Sequence, residues 1–325
     1  MQKKLLFLIL TFIVMGVLPV IAQQDAQLSQ YMFNPLYINP ATAGTDGTLK
    51  FQLHYRNQWS GYQTSLDGGG SLGTQIFTAS MPLNGLRSGI GVHFVNDKTP
   101  SGAGYQDLKL SYSYQIGLGN GSIISLGARG GFHIKSFDNS FRPRESDDPL
   151  IDGLSGKISQ TKPDYSVGVL YKASNYFVGA SLNHINSPVY NFGIANIANN
   201  KAVQSLYVHG GYNYYLTDDI EISPTALFRT DFQTNVLEGG AILTYAEKYW
   251  VGGSYRLNDA GIIIAGISLL QNNSLKIGYS LDLTTTNGAS AKAPTSHEIL
   301  LSYSLPAPKL LSGKKTPVRT PRFRR

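Results

Sequence analysis

The chain has 325 residues, with 27 Lys and Arg against 20 Asp and Glu for a formal net charge of +7, 14% charged side chains and no cysteine. The missing cysteine excludes disulfides, thiol catalysis and cysteine-metal centres. The basic surplus sits at the ends: Lys309, Lys314, Lys315, Arg319, Arg322, Arg324 and Arg325 have no acid among them, and residues 23–305 come to about −2, so the charge is no argument for nucleic acid.

Lys3 and Lys4 precede the apolar run Leu5 to Val20, and Val20-Ile21-Ala22 supplies small residues for cleavage, which reads as a secretory signal over residues 1–22. The longest later apolar stretch, Gly261 to Ile267, is far below the roughly 20 residues of a spanning helix. Residues 23–48 differ in character from residues 49–305. The steps Asn34-Pro35 and Asn39-Pro40 forbid a continuous strand or helix, yet Tyr31, Phe33 and Tyr37 are too apolar for a free linker. This segment is expected to fold back, either into a barrel as a plug or against its periplasmic rim.

From residue 49 to 305 the chain alternates. In Asn273 to Leu283, Leu275, Ile277, Tyr279, Leu281 and Leu283 oppose Ser274, Lys276, Gly278, Ser280 and Asp282; Leu49 to Arg56 and Leu108 to Gln115 repeat the pattern. Side chains on a strand alternate sides, so each segment presents an apolar face to lipid and a polar face to a wet lumen. Alternation and turn residues place fourteen strands near 49–59, 73–81, 87–97, 104–116, 121–137, 164–173, 175–185, 202–216, 219–230, 232–246, 248–257, 259–271, 273–285 and 295–305. The connections after even strands are all short; every long one follows an odd strand. That asymmetry, with 20 Tyr and 35 Gly, favours an all-β transmembrane barrel of the outer membrane over a soluble sandwich, with both termini periplasmic and the long loops extracellular. Residues 306–325, with prolines at 306, 308, 317 and 321, read as a disordered basic periplasmic tail. Such a tail suits a solubilising end, a lipid-headgroup contact or docking to an acidic periplasmic protein.

Chemistry is thin. The six histidines, His54, His93, His133, His184, His209 and His297, lie on separate strands without ligand spacing, and read as wall or rim residues. The acids Asp138, Glu145, Asp147, Asp148 and Asp152 offer calcium-type oxygen ligands, but Arg142 and Arg144 interrupt them, so a solvated loop is the simpler reading. The glycine run Gly117 to Gly121 joins two strands and reads as a hairpin, not a phosphate loop. No nucleophile motif is recognisable, so neither catalysis nor a cofactor is expected. Inward-facing Lys50, Arg56, Lys109, Arg129, Lys135 and Lys276 would line an anion pore, unless acids such as Asp282 and Glu298 pair with them and close the same space.

The run Ser29-Gln30-Tyr31-Met32-Phe33-Asn34-Pro35-Leu36-Tyr37-Ile38-Asn39-Pro40-Ala41-Thr42-Ala43-Gly44, followed by Tyr55-Arg56-Asn57-Gln58-Trp59, resembles the amino-terminal signature of the PorP/SprF family. The resemblance is specific over residues 24–62 and collinear to the last strand. It implies an outer-membrane component of the type IX secretion system of Bacteroidota that supports export and surface anchoring of secreted adhesins through their C-terminal sorting domain, with a link to gliding motility. It also implies contact with the periplasmic ring of that machinery. The signature residues Tyr31, Phe33, Asn34, Pro35, Asn39, Pro40, Gly44, Arg56, Asn57 and Trp59 are then expected in a plug or docking element, none of them catalytic. A passive channel or hydrophobic-solute transporter is the competing reading.

Overall fold

The computed structural model describes residues 25–60, 72–99, 103–138, 157–192, 198–285 and 295–308. The signal segment, most of the acidic loop and the basic tail from Lys309 lie outside the described residues.

The strands are β1 (Thr48–Ser60), β2 (Leu72–Leu83), β3 (Ser88–Lys98), β4 (Ala103–Gly117), β5 (Ile123–Asp138), β6 (Lys157–Lys172), β7 (Tyr176–Asn183), β8 (Val189–Phe192), β9 (Ala198–Lys201), β10 (Ser205–Tyr212), β11 (Tyr214–Tyr215), β12 (Ile220–Thr230), β13 (Asn235–Tyr245), β14 (Tyr249–Arg256), β15 (Ala260–Leu269), β16 (Leu275–Thr284) and β17 (Thr295–Pro306). Each pairs antiparallel with its neighbours in sequence, apart from a separate β8–β9 hairpin. β1 pairs with β17 and β10 with β12, so the sheet closes on itself as a barrel of 14 strands. Closure leaves no strand edge to lipid, which an open sheet in a bilayer would have to hydrogen-bond.

Proline accounts for two departures from the expected strand limits. β10 and β11 keep one register against β12, but Pro224 falls opposite Tyr212 and lacks the donor that would continue the ladder, so the strand breaks at Asn213. β6 begins at Lys157, seven residues earlier than expected, with Pro163 inside it. That is tolerated because β6 pairs with β7 only over Val167–Lys172, so Pro163 lies beyond the β7 ladder, its carbonyl accepting from the Asn186 side chain at 2.8 Å and its missing donor costing no ladder bond.

Alternation sorts the side chains as lipid and lumen require. On β4, Leu108, Leu110, Tyr112 and Tyr114 face outward and are exposed, Leu110 at 68%, while Asp107, Lys109, Ser111 and Ser113 face inward and are buried. At one end the turns are short, spanning 84–87, 118–122, 173–175, 216–219, 246–248 and 270–274; the other end holds the strand ends Ser60 and Leu72, Asp138 and Lys157, and Asn183 and Ser205, which are more than ten residues apart in sequence. Exposed tyrosines flank the short turns on the outer face, among them Tyr176, Tyr212, Tyr214, Tyr245 and Tyr249, in the manner of an interfacial aromatic girdle.

Candidate functional site: a lumen filled by the amino-terminal segment

Fourteen strands enclose more space than their own inward side chains fill. Residues 25–47 occupy it. Three short helical turns, Tyr31–Phe33, Pro35–Ile38 and Pro40–Thr42, carry the segment across the lumen, two of them opened by a proline whose fixed φ suits the first helical position. Asn39 caps the third turn, its Oδ1 accepting from Ala41 N at 2.9 Å, while its Nδ2 donates to Val169 O at 3.0 Å and Ala180 O at 3.3 Å on the wall.

Turns this short leave carbonyls unsatisfied, and the polar lumen face supplies donors for them. Ser125 Oγ donates to Ala41 O at 2.6 Å, Ser113 Oγ to Ala43 O at 2.7 Å and Ser181 Oγ to Ile38 O at 2.9 Å. The Arg129 guanidinium donates to Tyr37 O at 3.0 Å and also to Leu36 O. Close approach needs a glycine on each side of the contact, Gly127 on the wall and Gly44 on the segment. A Cβ at Gly127 would fall 2.4 Å from Ala41 Cα, and Gly44 turns at φ +67 with Met81 O 2.7 Å from where its own Cβ would be.

Apolar plug residues pack as a core does. Leu28, Tyr31 and Ile38 are buried with Ile76, Val95, Tyr105, Tyr207 and Leu227, and Phe33 lies 5.5 Å from the Trp250 ring. Fully burying such a side chain is worth about 1.5–3 kcal/mol.

Two ion networks fix the half of the plug nearest the long loops. In the first, Arg56 Nη2 is 2.8 Å from Asp282 Oδ2 and Nη1 is 3.5 Å from Glu298 Oε2; Ser29 Oγ accepts from Arg56 at 2.5 Å and donates to Asp282 at 2.7 Å. Glu298 also accepts the backbone N–H groups of Ser29 at 2.7 Å and Gln30 at 3.2 Å, and lies 3.0 Å from His54 Nδ1. Arg256, 2.8 Å from Glu238, extends the network to β13. In the second, Asp25 lies 2.8 Å from His184 Nε2 and accepts from Tyr207 at 2.8 Å, while its carbonyl accepts from Arg229 at 3.2 Å. His184 Nδ1 is 2.8 Å from Asp164, which Lys109 joins to Asp107 and His133.

Burial opposes ionisation of Asp25, but the His184 imidazole beside it, with Arg229, holds the carboxyl well below the usual carboxylate range. Burial pushes His184 down, and the Asp25 and Asp164 carboxylates overcome it, bringing the imidazole up to about 9. Burial, reinforced by the Asp25 carboxylate, pushes the Tyr37 phenol well up.

Eight of the ten signature positions converge on the lumen. Tyr31 donates to Thr225 Oγ1 at 3.2 Å, Asn34 Oδ1 accepts from Thr78 at 3.0 Å, and Pro35, Asn39, Pro40 and Gly44 shape the turns that bring Phe33 against the wall, with Arg56 in the first network. Asn57 and Trp59 part from them. Trp59 is exposed near the long-loop rim with φ +57, its N–H donating to Ser296 Oγ at 3.1 Å; Asn57 follows the same outward register.

Thr48, where β1 starts, pairs with Pro306 at the short-turn end, but Asp25 sits among His184, Tyr207 and Arg229 at the long-loop end. The described segment therefore starts at the long-loop end of the lumen and runs toward the short turns. Of the six inward cations, Arg56, Lys109 and Lys50 each have an acid partner and Arg129 is taken up by plug carbonyls, whereas Lys135 and Lys276 lie over the Tyr190 and Trp250 rings.

Sequence reading missed the convergence of His93, His133 and His184 with Asp25, Asp107 and Asp164. Their inward register was readable; which inward residues meet depends on strand stagger, which alternation does not encode. Among the described residues no group of three or more His, Cys, Asp or Glu is arranged to hold a metal ion.

Residues 20–303 match the family model described as type IX secretion system membrane protein PorP/SprF. No curated protein matches the chain. Among solved structures, it is similar to the CymD monoaromatic hydrocarbon channel at 14% identity, covering 87% of this chain and 94% of that one with a TM-score of 0.49. It is similar also to the Pseudomonas putida toluene transporter TodX, at 9% identity, 86% and 94% coverage and a TM-score of 0.46. The Acinetobacter baumannii outer membrane protein Omp33 is a further match, at 9% identity, 79% and 97% coverage and a TM-score of 0.44.

Proposed function

The chain belongs to the PorP/SprF family of type IX secretion system membrane proteins, and from that premise we propose that it is a non-enzymatic, plugged barrel supporting export and surface anchoring of a secreted adhesin. The observation that carries this reading is the occupied lumen: Ser29, Arg56, Asp282 and Glu298 bind the plug to three wall strands, so the barrel offers partners its rims rather than a conduit. In this reading the segments at 61–71, 139–156 and 184–204 face the medium and hold the adhesin through its C-terminal sorting domain. The short turns and the basic tail from Lys309 to Arg325 face the periplasmic ring. A link to gliding would follow where the adhesin serves movement.

The test is deletion of the gene, with the surface-exposed proteins compared by mass spectrometry and the barrel used as bait in wild-type membranes. Loss of a large adhesin from the surface, and its co-purification with the barrel, is expected. An unchanged surface proteome in the deletion strain would refute the proposal. Ion or solute flux through the purified wild-type barrel would instead favour a passive channel.

A further inference from the structure

A cavity of about 250 Å³ lies in the lumen at the short-turn end, between the plug and the wall. Lys50 on β1, Lys172 on β6 and Lys276 on β16 line it, and Asp46 is the sole carboxylate among its lining residues. Asp46 is already committed, 2.7 Å from Lys50 and 3.4 Å from Lys172. Lys276 is half-buried and has no carboxylate within 4.0 Å among the described residues; its ammonium rests 5.9 Å from the centre of the Trp250 ring. Phe33, Leu170 and Phe177 supply an apolar side to the same space.

We propose that this cavity is a binding site for a small organic carboxylate with an apolar body, entering from the short-turn end. The cations set the sign of the ligand. Three ammonium groups face one carboxylate, and Lys276 gains a charge-assisted hydrogen bond only when an anion arrives. The apolar wall sets the rest, because a strongly hydrated inorganic anion would leave Phe33, Leu170 and Phe177 facing water, and a neutral ligand would leave Lys276 unpaired. The volume limits the body to roughly a dozen non-hydrogen atoms, well below a folded partner or a lipid. The site stands apart from adhesin anchoring, so its failure would leave that reading intact.

The test is calorimetry on the purified full-length barrel with 3-phenylpropionate, against 3-phenylpropanamide and inorganic phosphate as matched controls. Saturable binding to the acid is expected, weakened by salt, with both controls at least tenfold weaker. Lys276→Gln should lower affinity at least tenfold and Lys172→Gln by a smaller factor, while Lys98→Gln, exposed at the opposite end, should leave it unchanged. A native shift on a semi-denaturing gel shows that each variant is folded. Absence of saturation, equal binding of the amide or of phosphate, or wild-type affinity in folded Lys276→Gln would overturn the proposal.

Discussion

Ser29 on the plug and Arg56 on β1 meet at 2.5 Å, and both reach the same oxygen of Asp282 on β16, so one carboxylate ties the amino-terminal segment to two wall strands. All three are buried. Removing one member of a buried ion pair leaves its partner's charge uncompensated, typically at about 3–5 kcal/mol. Arg56→Met is therefore expected to cost about that much, read as a lower urea midpoint for the loss of heat-modifiable migration. Arg56→Lys should recover part of it, since the ammonium keeps the charge but lacks the guanidinium's two-pronged reach.

The plug closes the lumen only while it fits the wall. Gly127→Leu would force a side chain into Ala41, whose Cα lies 2.4 Å from the added Cβ. The plug must shift, so this variant is expected to show ion conductance in planar bilayers above that of the wild type. Ala128→Leu, one residue on and directed outward, should not.

The Asp25–His184 pair makes the long-loop end of the plug pH-dependent. His184 is raised to about 9, so its contribution is complete below its ordinary value near 6.5 and is lost as pH rises through 9. Asp25 is depressed, so its contribution is present above the ordinary carboxylate value and is lost on acidification below it. The amide-exchange protection factors of residues 26–30, corrected for the intrinsic rate at each pH, should be highest between these limits and fall above pH 9. Asp25→Asn should flatten the alkaline limb.

On the outer face, Leu110 is among the most exposed apolar side chains of the barrel. Leu110→Arg is expected to cost about 2–4 kcal/mol if it lies at the bilayer midplane, falling toward zero nearer an interface. The measurement is reversible unfolding in lipid vesicles. Ser113→Ala, on the lumen face of the same strand, should act instead by removing one of the two donors to the carbonyl of Ala43, at about 0.5–1.5 kcal/mol, with Gln115 still donating.

The barrel was largely legible because alternation is a local property. Leu275 to Leu283 against Lys276 to Asp282 states which face meets lipid without reference to any other strand. The strand limits blurred where a neighbour decides the outcome, as at Pro163, acceptable only because β7 is too short to reach it. The two Asn-Pro steps marked residues 31–44 as something other than wall, but their direction through the lumen is set by partners more than two hundred residues away, such as Glu298 for Ser29. The same holds for His133 and His184, whose rings come to 5.3 Å through strand stagger alone.

Since the chain has no cysteine, a single introduced thiol reports the position of the plug without interference. Thr42→Cys places it on the buried third turn, and Gly119→Cys places it on a short turn with open space around it. Labelling of the folded barrel with a bulky, membrane-impermeant maleimide should modify Gly119→Cys promptly and leave Thr42→Cys protected until the barrel is unfolded. Equal labelling of the two in the folded state would contradict a lumen filled by the amino-terminal segment.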